Sequence, residues 1–212
     1  MRCLMCGNEI GEGKSLEELF YYDDVLCVSC RNTWRRNRKH FRLDGIPSES
    51  RWDYQGGFRD ALLQFKECGD EALKPVFLYP DRKYLKYRYR GYTILCMPST
   101  REKMEQRGFS HLPEMLEEAG LPILEPFLKI NQTEQKKKTR AERLAASHAI
   151  MLKPEIRLPE KILLADDVLT TGSTLRGALS CLDRSHHRIR IFVFALVPRT
   201  ILQPAASGLP ES

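Results

Sequence analysis

The chain has 212 residues, enough for one ordinary domain with its own core and a small additional module. No run of residues approaches the ~18 to 20 apolar positions of a membrane span, and the N-terminus lacks the apolar segment of a signal peptide. We therefore expect a cytoplasmic protein. The formal net charge is +6, and the basic residues are concentrated in local clusters, which favours an anionic partner such as nucleic acid.

Four of the seven cysteines form two Cys-x-x-Cys pairs near the N-terminus, Cys3 with Cys6 and Cys27 with Cys30. Two such pairs supply four thiolates that can close tetrahedrally on one Zn²⁺ ion, and they leave no open coordination position for catalysis. An odd number of cysteines also argues against a disulfide framework. The pattern predicts a structural zinc site in a small module with a basic linker over residues 1–45.

A basic segment over residues 31–42 follows, with six Lys or Arg residues and no acidic residue. Trp34 and Phe41 lie among these cations. Aromatic rings can stack on bases while cations neutralise phosphates, as in proteins that bind single-stranded DNA. The competing interpretation is a linker helix whose aromatic residues pack on the following domain. The candidate nucleic-acid residues are Arg31, Trp34, Arg35, Arg36, Arg38 and Lys39.

Helical spacing of apolar residues continues over residues 54–77, where Gly69 and Asp70 separate two predicted helices. Residues 82–92 alternate basic and aromatic side chains, which fits either a strand or the end of a helix. This segment is a second candidate surface for nucleic acid, and an ordinary solvated face is the alternative.

Short apolar runs bounded by turn residues predict strands that are buried in a parallel sheet. Two prolines within residues 121–128 place that strand at a sheet edge. The strands alternate with helical segments such as residues 111–119, so the sequence predicts an α/β domain over residues 46–197, a parallel sheet flanked by helices. The predicted strands cover residues 92–97, 121–128, 162–165 and 189–197.

Three connecting segments carry polar or breaker residues. Residues 99–101 are predicted as a polar loop after the strand that ends at Pro98. Residues 131–143 are polar and basic without periodicity, which predicts a mobile loop of the kind that often holds binding residues. The tail over residues 198–212 is rich in Pro, Ala, Ser and Gly and is predicted to be disordered.

The most informative stretch is Lys161–Leu175, in which an apolar run leads to Asp166 and Asp167 and then to the hydroxyl-rich loop Thr170–Thr174. A strand that runs into a helix N-terminus offers unpaired backbone N–H groups to an anion. Gly172 lets the backbone approach a phosphate closely, and carboxylates suit sugar hydroxyls or hydrated Mg²⁺. The stretch therefore predicts a site for a phosphorylated sugar.

An apolar strand followed by two acids also describes the Walker B strand of a nucleotide-binding protein. That interpretation requires a Walker A loop. Gly13-Lys14-Ser15 ends like such a loop, but Asn8 stands where the motif needs its first glycine. The Walker interpretation is accordingly weakened.

Four features occur together in this chain: the four cysteines, the aromatic-Lys-x-x-Gly-Asp element at Phe65–Asp70, the triplet Arg107–Phe109, and the stretch Ile162–Leu175. The last is similar to the phosphoribosyl-diphosphate (PRPP) signature of type I phosphoribosyltransferases. Jointly these features resemble the ComF family of competence proteins, close to ComFC and the related GntX, over residues 3–197. The resemblance implies a four-cysteine zinc module followed by a type I phosphoribosyltransferase-like domain.

The resemblance also implies ligand roles, with the acid pair on the ribose hydroxyls and indirectly on Mg²⁺, and the loop on the 5′-phosphate. The implied PRPP-binding residues are Asp166, Asp167, Thr170, Thr171, Gly172, Ser173 and Thr174. The resemblance implies that Arg101, Arg107 and some of the basic residues of a loop that closes over the site meet the pyrophosphate. Those loop residues are Lys136, Lys137, Lys138, Arg140 and Arg143.

Three departures from the family pattern stand out. Cys96-Met97-Pro98 occupies the position of a frequent Pro-Val-Pro, Ser110 replaces an asparagine, and a second cysteine group is absent. The first two bear on pyrophosphate binding, and the third leaves a single zinc site. No catalytic motif includes the remaining histidines and cysteines. His111 and His148 are predicted to be polar surface or loop residues. Cys68, Cys96 and Cys181 are predicted to be small buried hydrophobic residues.

Three functions follow as hypotheses. The first is a factor that handles incoming single-stranded DNA during natural transformation, beside the competence helicase at the inner face of the membrane. The second is a catalytically active phosphoribosyltransferase of nucleotide salvage. The third is a sensor of PRPP or nucleotides that performs no chemistry. Neither the acceptor substrate nor turnover follows from the sequence.

Overall fold

The computed structural model describes residues 1–10, 24–129 and 150–198, together with the backbone of residues 203–204. Within these ranges no helix has both the length and the apolar character needed to cross a membrane. The described residues form a seven-stranded sheet, a separate two-stranded hairpin and the helices that pack against them.

The large sheet is mainly parallel. Its strands lie in the order β4 (Ile123–Leu124), β3 (Thr93–Cys96), β7 (Lys161–Leu169), β8 (Arg188–Leu196), β2 (Ile46–Asp53), β1 (Arg36–Leu43) and β9 (Gln203–Pro204). The first five are mutually parallel, whereas β1 is antiparallel to both of its neighbours. A smaller antiparallel hairpin joins β5 (Phe127–Lys129) and β6 (Ile150–Leu152). The predicted α/β class, a parallel sheet flanked by helices, is confirmed.

Helices connect the strands. They are α1 (Val28–Asn32), α2 (Gly56–Glu67), α3 (Lys74–Leu78), α4 (Arg82–Arg88), α5 (Arg101–Arg107), α6 (His111–Leu116) and α7 (Ser173–Ser180). Helix α5 begins where the Thr100 hydroxyl accepts a hydrogen bond from the Lys103 N–H, and it ends at Gly108, whose φ is 84°. Central strands β7 and β8 are apolar along most of their length because both faces of the sheet are covered.

The N-terminal segment and the sheet share one core. The Trp34 ring packs edge-to-face on Trp52 and Phe58, with centroids 5.3 and 5.1 Å apart. Helix α2 approaches this segment so closely that a Cβ at Gly57 would lie 2.0 Å from the Thr33 Oγ1. The N-terminal segment is therefore packed directly on strand β2 and helix α2.

The structure corrects the prediction for residues 31–42. Helix α1 ends at Asn32, and residues 36–43 form strand β1, which pairs with β2 across a two-residue turn. Both turn residues, Asp44 and Gly45, have positive φ (49° and 82°), as a type I′ hairpin requires. The boundary predicted after residue 45 thus falls inside a hairpin, and β1 belongs to the sheet.

Other element predictions differ in detail. Of the two alternatives left open for residues 82–92, a strand or the end of a helix, the structure has the helix, α4. Arg101, predicted in a loop, begins helix α5, and the strand predicted at 121–128 is divided into β4, at the sheet edge, and β5. Within the tail predicted as disordered, Gln203–Pro204 pairs with β1. The loop predicted at 131–143 lies outside the described residues.

Candidate functional site

The predicted acid pair lies at the carboxyl end of β7. In α/β proteins, ligands bind at the carboxyl ends of the parallel strands. Asp166 is partly exposed, and its Oδ1 accepts a hydrogen bond from the Asp167 N–H at 2.9 Å. Asp167 is buried, with 8% of its surface exposed. Neighbouring side chains of a strand point to opposite faces, so the two carboxylates have different surroundings.

Asp167 is enclosed by polar groups from two helices. Its Oδ2 accepts a hydrogen bond from the Lys66 Nζ of α2, and it lies 2.9 Å from the Nε2 of His111 in α6. Its Oδ1 accepts the Val168 N–H at 2.7 Å. His111, predicted as a surface or loop residue, is instead buried, with 5% of its surface exposed. That prediction was wrong because nothing in the local sequence reveals a partner located 56 residues away.

Arg107 connects the same groups. Its Nε donates to the Lys66 carbonyl oxygen at 2.7 Å, and its Nη1 lies 3.0 Å from the His111 Nδ1. Arginine can only donate hydrogen bonds. The His111 Nδ1 is therefore the acceptor, and the Nε2 carries the proton that it donates to Asp167.

The pKa values of the acid pair move apart. Burial would raise the pKa of Asp167, but the hydrogen bond from His111 and the charge of Lys66 outweigh it and hold that pKa well below its usual range. Burial, together with the charge of Asp167, raises the pKa of Asp166 well above its usual value. Burial lowers the pKa of His111, so its neutral form is favoured.

The loop Thr170–Thr174 follows β7 and begins helix α7. Gly172 caps the helix with a φ of 75°, and a Cβ there would lie 3.2 Å from the Leu43 Cδ1. Only glycine adopts this conformation without strain. The Ser173 N–H donates to the Thr171 hydroxyl at 3.4 Å, which tightens the turn. Thr170 and Thr171 are exposed, and this geometry suits a phosphate at the helix N-terminus.

The residues implied for the pyrophosphate side are only partly assembled. A cavity of about 690 Å³ opens at the carboxyl ends of β3 and β4, and Arg101 lines it together with Phe109 and Phe127. The Arg101 Nε lies 2.7 Å from the Glu105 Oε1. Arg107 is held by Lys66 and His111, as described above. The remaining members lie outside the described residues; they are Lys136, Lys137, Lys138, Arg140 and Arg143.

The cysteines outside the cluster differ from one another. Burial, aided by the negative charges of Glu125 and Asp166, raises the pKa of Cys96 far above its usual value, so its thiol is inert, as predicted. Cys181 is partly buried. Cys68 is exposed, contrary to the prediction, because it caps the C-terminus of α2.

The four N-terminal cysteines come together, as their spacing predicts. The sulfur atoms of Cys3, Cys6, Cys27 and Cys30 all lie within 4.8 Å of one another, and the Cys6 and Cys27 sulfurs are 3.8 Å apart. A tetrahedron with Zn–S bonds of about 2.3 Å has edges of about 3.8 Å. Burial opposes ionisation of Cys3, but hydrogen bonds from the Cys27 and Cys6 backbone lower its pKa to about 7. The cluster fits a structural zinc site.

The nucleic-acid candidates divide into two groups. Arg31 and Trp34 are buried, with 3% and 4% exposed, and the Arg31 guanidinium is paired with Asp24 at 2.6 Å. They are not available for stacking or phosphate contact, and the alternative of aromatic packing is correct for Trp34. The exposed candidates are Arg35, Arg36, Arg38 and Lys39.

The structure also brings the two basic segments side by side. The Arg38 guanidinium of β1 lies 5.8 Å from the centre of the Tyr84 ring in α4 and 2.9 Å from the Asp81 Oδ1. His40 and Arg88 line one small cavity between the same two elements. Segments 31–42 and 82–92, separate in sequence, thus contribute to one basic surface.

These features define a class of protein. A parallel sheet with an acid pair and a hydroxyl-rich loop at the end of a central strand fits the type I phosphoribosyltransferase-like domain that the sequence motifs indicate. A four-cysteine cluster precedes it.

Comparison with known proteins adds the relatives. The chain is 26% identical to the competence protein ComFC of Streptococcus pneumoniae, over 87% of this chain and 94% of that protein. It is 24% identical to ComFC of Bacillus subtilis, over 92% and 94%. The resemblance to the ComF family of competence proteins that the sequence motifs indicate is confirmed.

The solved structures that align with the chain are less similar to it in sequence. No family model matches the chain. The adenine phosphoribosyltransferase of Leishmania tarentolae aligns at 17% identity with a TM-score of 0.37, covering 90% of this chain and 94% of that one. The enzyme of Leishmania donovani aligns at 13% identity with a TM-score of 0.36, covering 88% and 82%.

Proposed function

We propose that this protein acts in competence, handling incoming single-stranded DNA during natural transformation, and that its phosphoribosyltransferase-like domain binds PRPP or a related phosphoribosyl ligand. The observation that carries the proposal is the joint presence of the β7 acid pair, the Gly172 loop and the four-cysteine cluster in a relative of ComFC. The competence helicase of the uptake machinery is the proposed protein partner.

The ligand part of the proposal depends on charge and geometry. Loop Thr170–Thr174 supplies hydroxyls and backbone N–H groups for the 5′-phosphate, and the partly exposed Asp166 carboxylate has no ion pair among the described residues, so it is open to ribose hydroxyls. Mg²⁺ bound with PRPP would neutralise the pyrophosphate charge, and the acid pair would hold it through the ribose. Arg101 would contribute on the pyrophosphate side.

A catalytically active phosphoribosyltransferase is the second candidate function. The acid pair and phosphate loop of such an enzyme are both present. Displacement of pyrophosphate from the ribose relies mostly on positioning and charge neutralisation. Release of pyrophosphate in the presence of PRPP and a panel of nucleobases is the measurement that supports this candidate.

The DNA part of the proposal depends on the exposed cations of β1. We expect single-stranded DNA to bind with a steep salt dependence, because each neutralised phosphate contributes roughly 0.7 to the slope of log K against log salt. Charge reversal at Arg35, Arg36 and Arg38 should weaken binding and flatten that slope. The matched control reverses Arg157, Arg184 and Arg188, which are exposed arginines outside both basic segments. Equal loss in both variants would contradict a specific role for β1.

The role in competence is tested in cells. Transformation frequency is measured in a strain that carries Asp166→Asn with Asp167→Asn, with the level of the protein followed by immunoblot. A large loss of transformants at normal protein level is expected. An unchanged frequency would separate the ligand site from DNA uptake.

Zinc is tested by metal analysis of the purified protein. Four thiolates hold the ion and fold the module around it, so the wild type should contain one Zn²⁺ per chain. Cys27→Ser should lose it, whereas Cys181→Ser should not. Retained stoichiometric zinc in Cys27→Ser would refute the four-thiolate site.

A further inference from the structure

We propose that the two acids at the end of β7 have different roles: Asp166 meets the ribose hydroxyls, whereas Asp167 is an internal anchor that Lys66 and His111 hold in place. Lys66 and His111 are then positioning residues of the ribose site. This inference deepens the proposed function and rests on it for the identity of the ligand.

The first step is the number of hydrogen bonds at Asp167. Its Oδ2 already accepts from Lys66 and His111, and its Oδ1 accepts the Val168 N–H. A carboxylate has about four acceptor positions, and Asp167 is 8% exposed. Little of this group is left for a ligand, since three protein donors already surround it.

The second step is the contrast with Asp166. Among the described residues, its carboxyl group accepts one hydrogen bond, from the N–H of the next residue, and the side chain is partly exposed. Strand side chains alternate, and the hydrogen bonds of Lys66 and His111 go to Asp167. It is the acid of the pair that remains free to bind sugar hydroxyls.

The third step connects the anchor to the rest of the site. Lys66 belongs to α2, His111 to α6 and Asp167 to β7, so a single carboxylate joins three elements. Arg107 donates to the Lys66 backbone and to His111, which fixes the histidine tautomer. Removing any member leaves a buried polar group without its partner. The anchor thereby sets the position of the β7 end, and with it the position of Asp166.

The two roles are separated first by stability, which requires no ligand. Asp167→Asn should lower the melting temperature by roughly 5 °C or more, since it leaves the Lys66 charge without its partner. Asp166→Asn should not lower it. In double-mutant cycles, Lys66→Met should be coupled to Asp167→Asn and additive with Asp166→Asn. Coupling of Lys66 to Asp166 as strong as its coupling to Asp167 would overturn the assignment.

Binding provides the second measurement, by calorimetry with PRPP and Mg²⁺. Asp166→Asn should reduce affinity by roughly tenfold, the effect of losing one hydrogen bond between its carboxyl group and a ribose hydroxyl. Lys66→Met and His111→Leu should also weaken binding, although neither residue touches the ligand. Lys66→Arg and His111→Gln, which keep a donor toward Asp167, should recover most of the affinity. Failure of both conservative variants to recover affinity would overturn the positioning role.

Failure of this inference differs from failure of the proposed function. If wild-type protein does not bind PRPP, the proposed ligand is wrong, and the stability cycles still decide whether Asp167 is the anchor. If the wild type binds and Asp166→Asn binds equally well, the division of roles is wrong while the site itself stands.

Discussion

Two buried groups of charges in this protein have similar chemistry and different settings. In the interior of the sheet, Arg51 of β2 is 1% exposed and forms ion pairs with Glu49 and Asp81 at 3.1 and 3.2 Å. Tyr84 and Tyr89 also donate hydrogen bonds to Glu49. At the carboxyl end of the central strand β7, Asp167 is paired with Lys66 and His111 and lies next to the partly exposed Asp166.

The difference lies in access to solvent. The interior cluster is covered by α4, and the Arg51 guanidinium lies 4.3 Å from the centre of the Tyr84 ring. The cluster at the carboxyl end of β7 adjoins the loop Thr170–Thr174, in which Thr170 and Thr171 are exposed. A buried ion pair is by itself weak support for a functional site. Its location at a strand end beside the Gly172 loop is what distinguishes Asp167 from Glu49.

The largest expected effect concerns the interior cluster. Arg51→Met removes the buried cation that pairs with both Glu49 and Asp81, and breaking a buried pair in this way costs about 3–5 kcal/mol. The measurement is the free energy of unfolding in denaturant. Arg59→Met, at a position with 53% of its side chain exposed, is the control and should have little effect. A small loss in Arg51→Met would mean that the interior cluster is not structural.

The acid pair should show opposite pH dependences. The pKa of Asp167 is lowered in the folded protein, so its contribution is present above the ordinary carboxyl pKa of about 4 and is lost as the pH falls below it. The pKa of Asp166 is raised in the folded protein. Its contribution to stability is therefore present below the ordinary carboxyl pKa and is lost as the pH rises through the raised value. Melting temperatures between pH 3 and 7 measure both contributions.

Two variants separate these contributions. In Asp167→Asn, the gain in stability that the wild type shows as the pH rises from acid to neutral should be reduced. Asp166→Asn should be more stable than the wild type at neutral pH. Identical pH profiles for the two variants would show that the acids are equivalent. That result would contradict the assignment of Asp167 as the anchor and Asp166 as the acid that binds the ligand.

The smallest expected effect is at Tyr89. Burial and the charge of Glu49 raise the pKa of Tyr89 well above its usual value, so its contribution to stability is present below the ordinary tyrosine pKa of about 10 and is lost above it. Tyr89→Phe should cost about 1 kcal/mol at neutral pH and reduce the alkaline loss of stability. Tyr87→Phe, at an exposed position, is the control. An unchanged alkaline loss would exclude Tyr89 as its source.

Features encoded in local sequence were predicted well. The cysteine spacing predicted the sulfur cluster, and the Lys161–Leu175 stretch predicted a strand, a glycine turn and a helix in the right order. These features follow from periodicity and from residues with special backbone requirements, which a single sequence displays.

Features that depend on distant contacts could not be predicted. Trp34 and Arg31 have a composition typical of a nucleic-acid surface, but partners from α2, α3 and β2 bury them. The difference between Asp166 and Asp167 depends on Lys66 and His111, which lie 101 and 56 residues from Asp167. The motif at Phe65–Asp70 marked Lys66 as a family feature without indicating what it contacts.

The central claim is that the β7 acid pair and the Gly172 loop form a phosphoribosyl site, and direct calorimetry with PRPP and Mg²⁺ tests it most directly. We expect saturable binding to the wild type, with one site per chain, and no measurable binding to the variant with both Asp166→Asn and Asp167→Asn. The melting temperature of the double variant confirms that it is folded. Absence of binding to the wild type, or equal binding to the folded double variant, would contradict the claim.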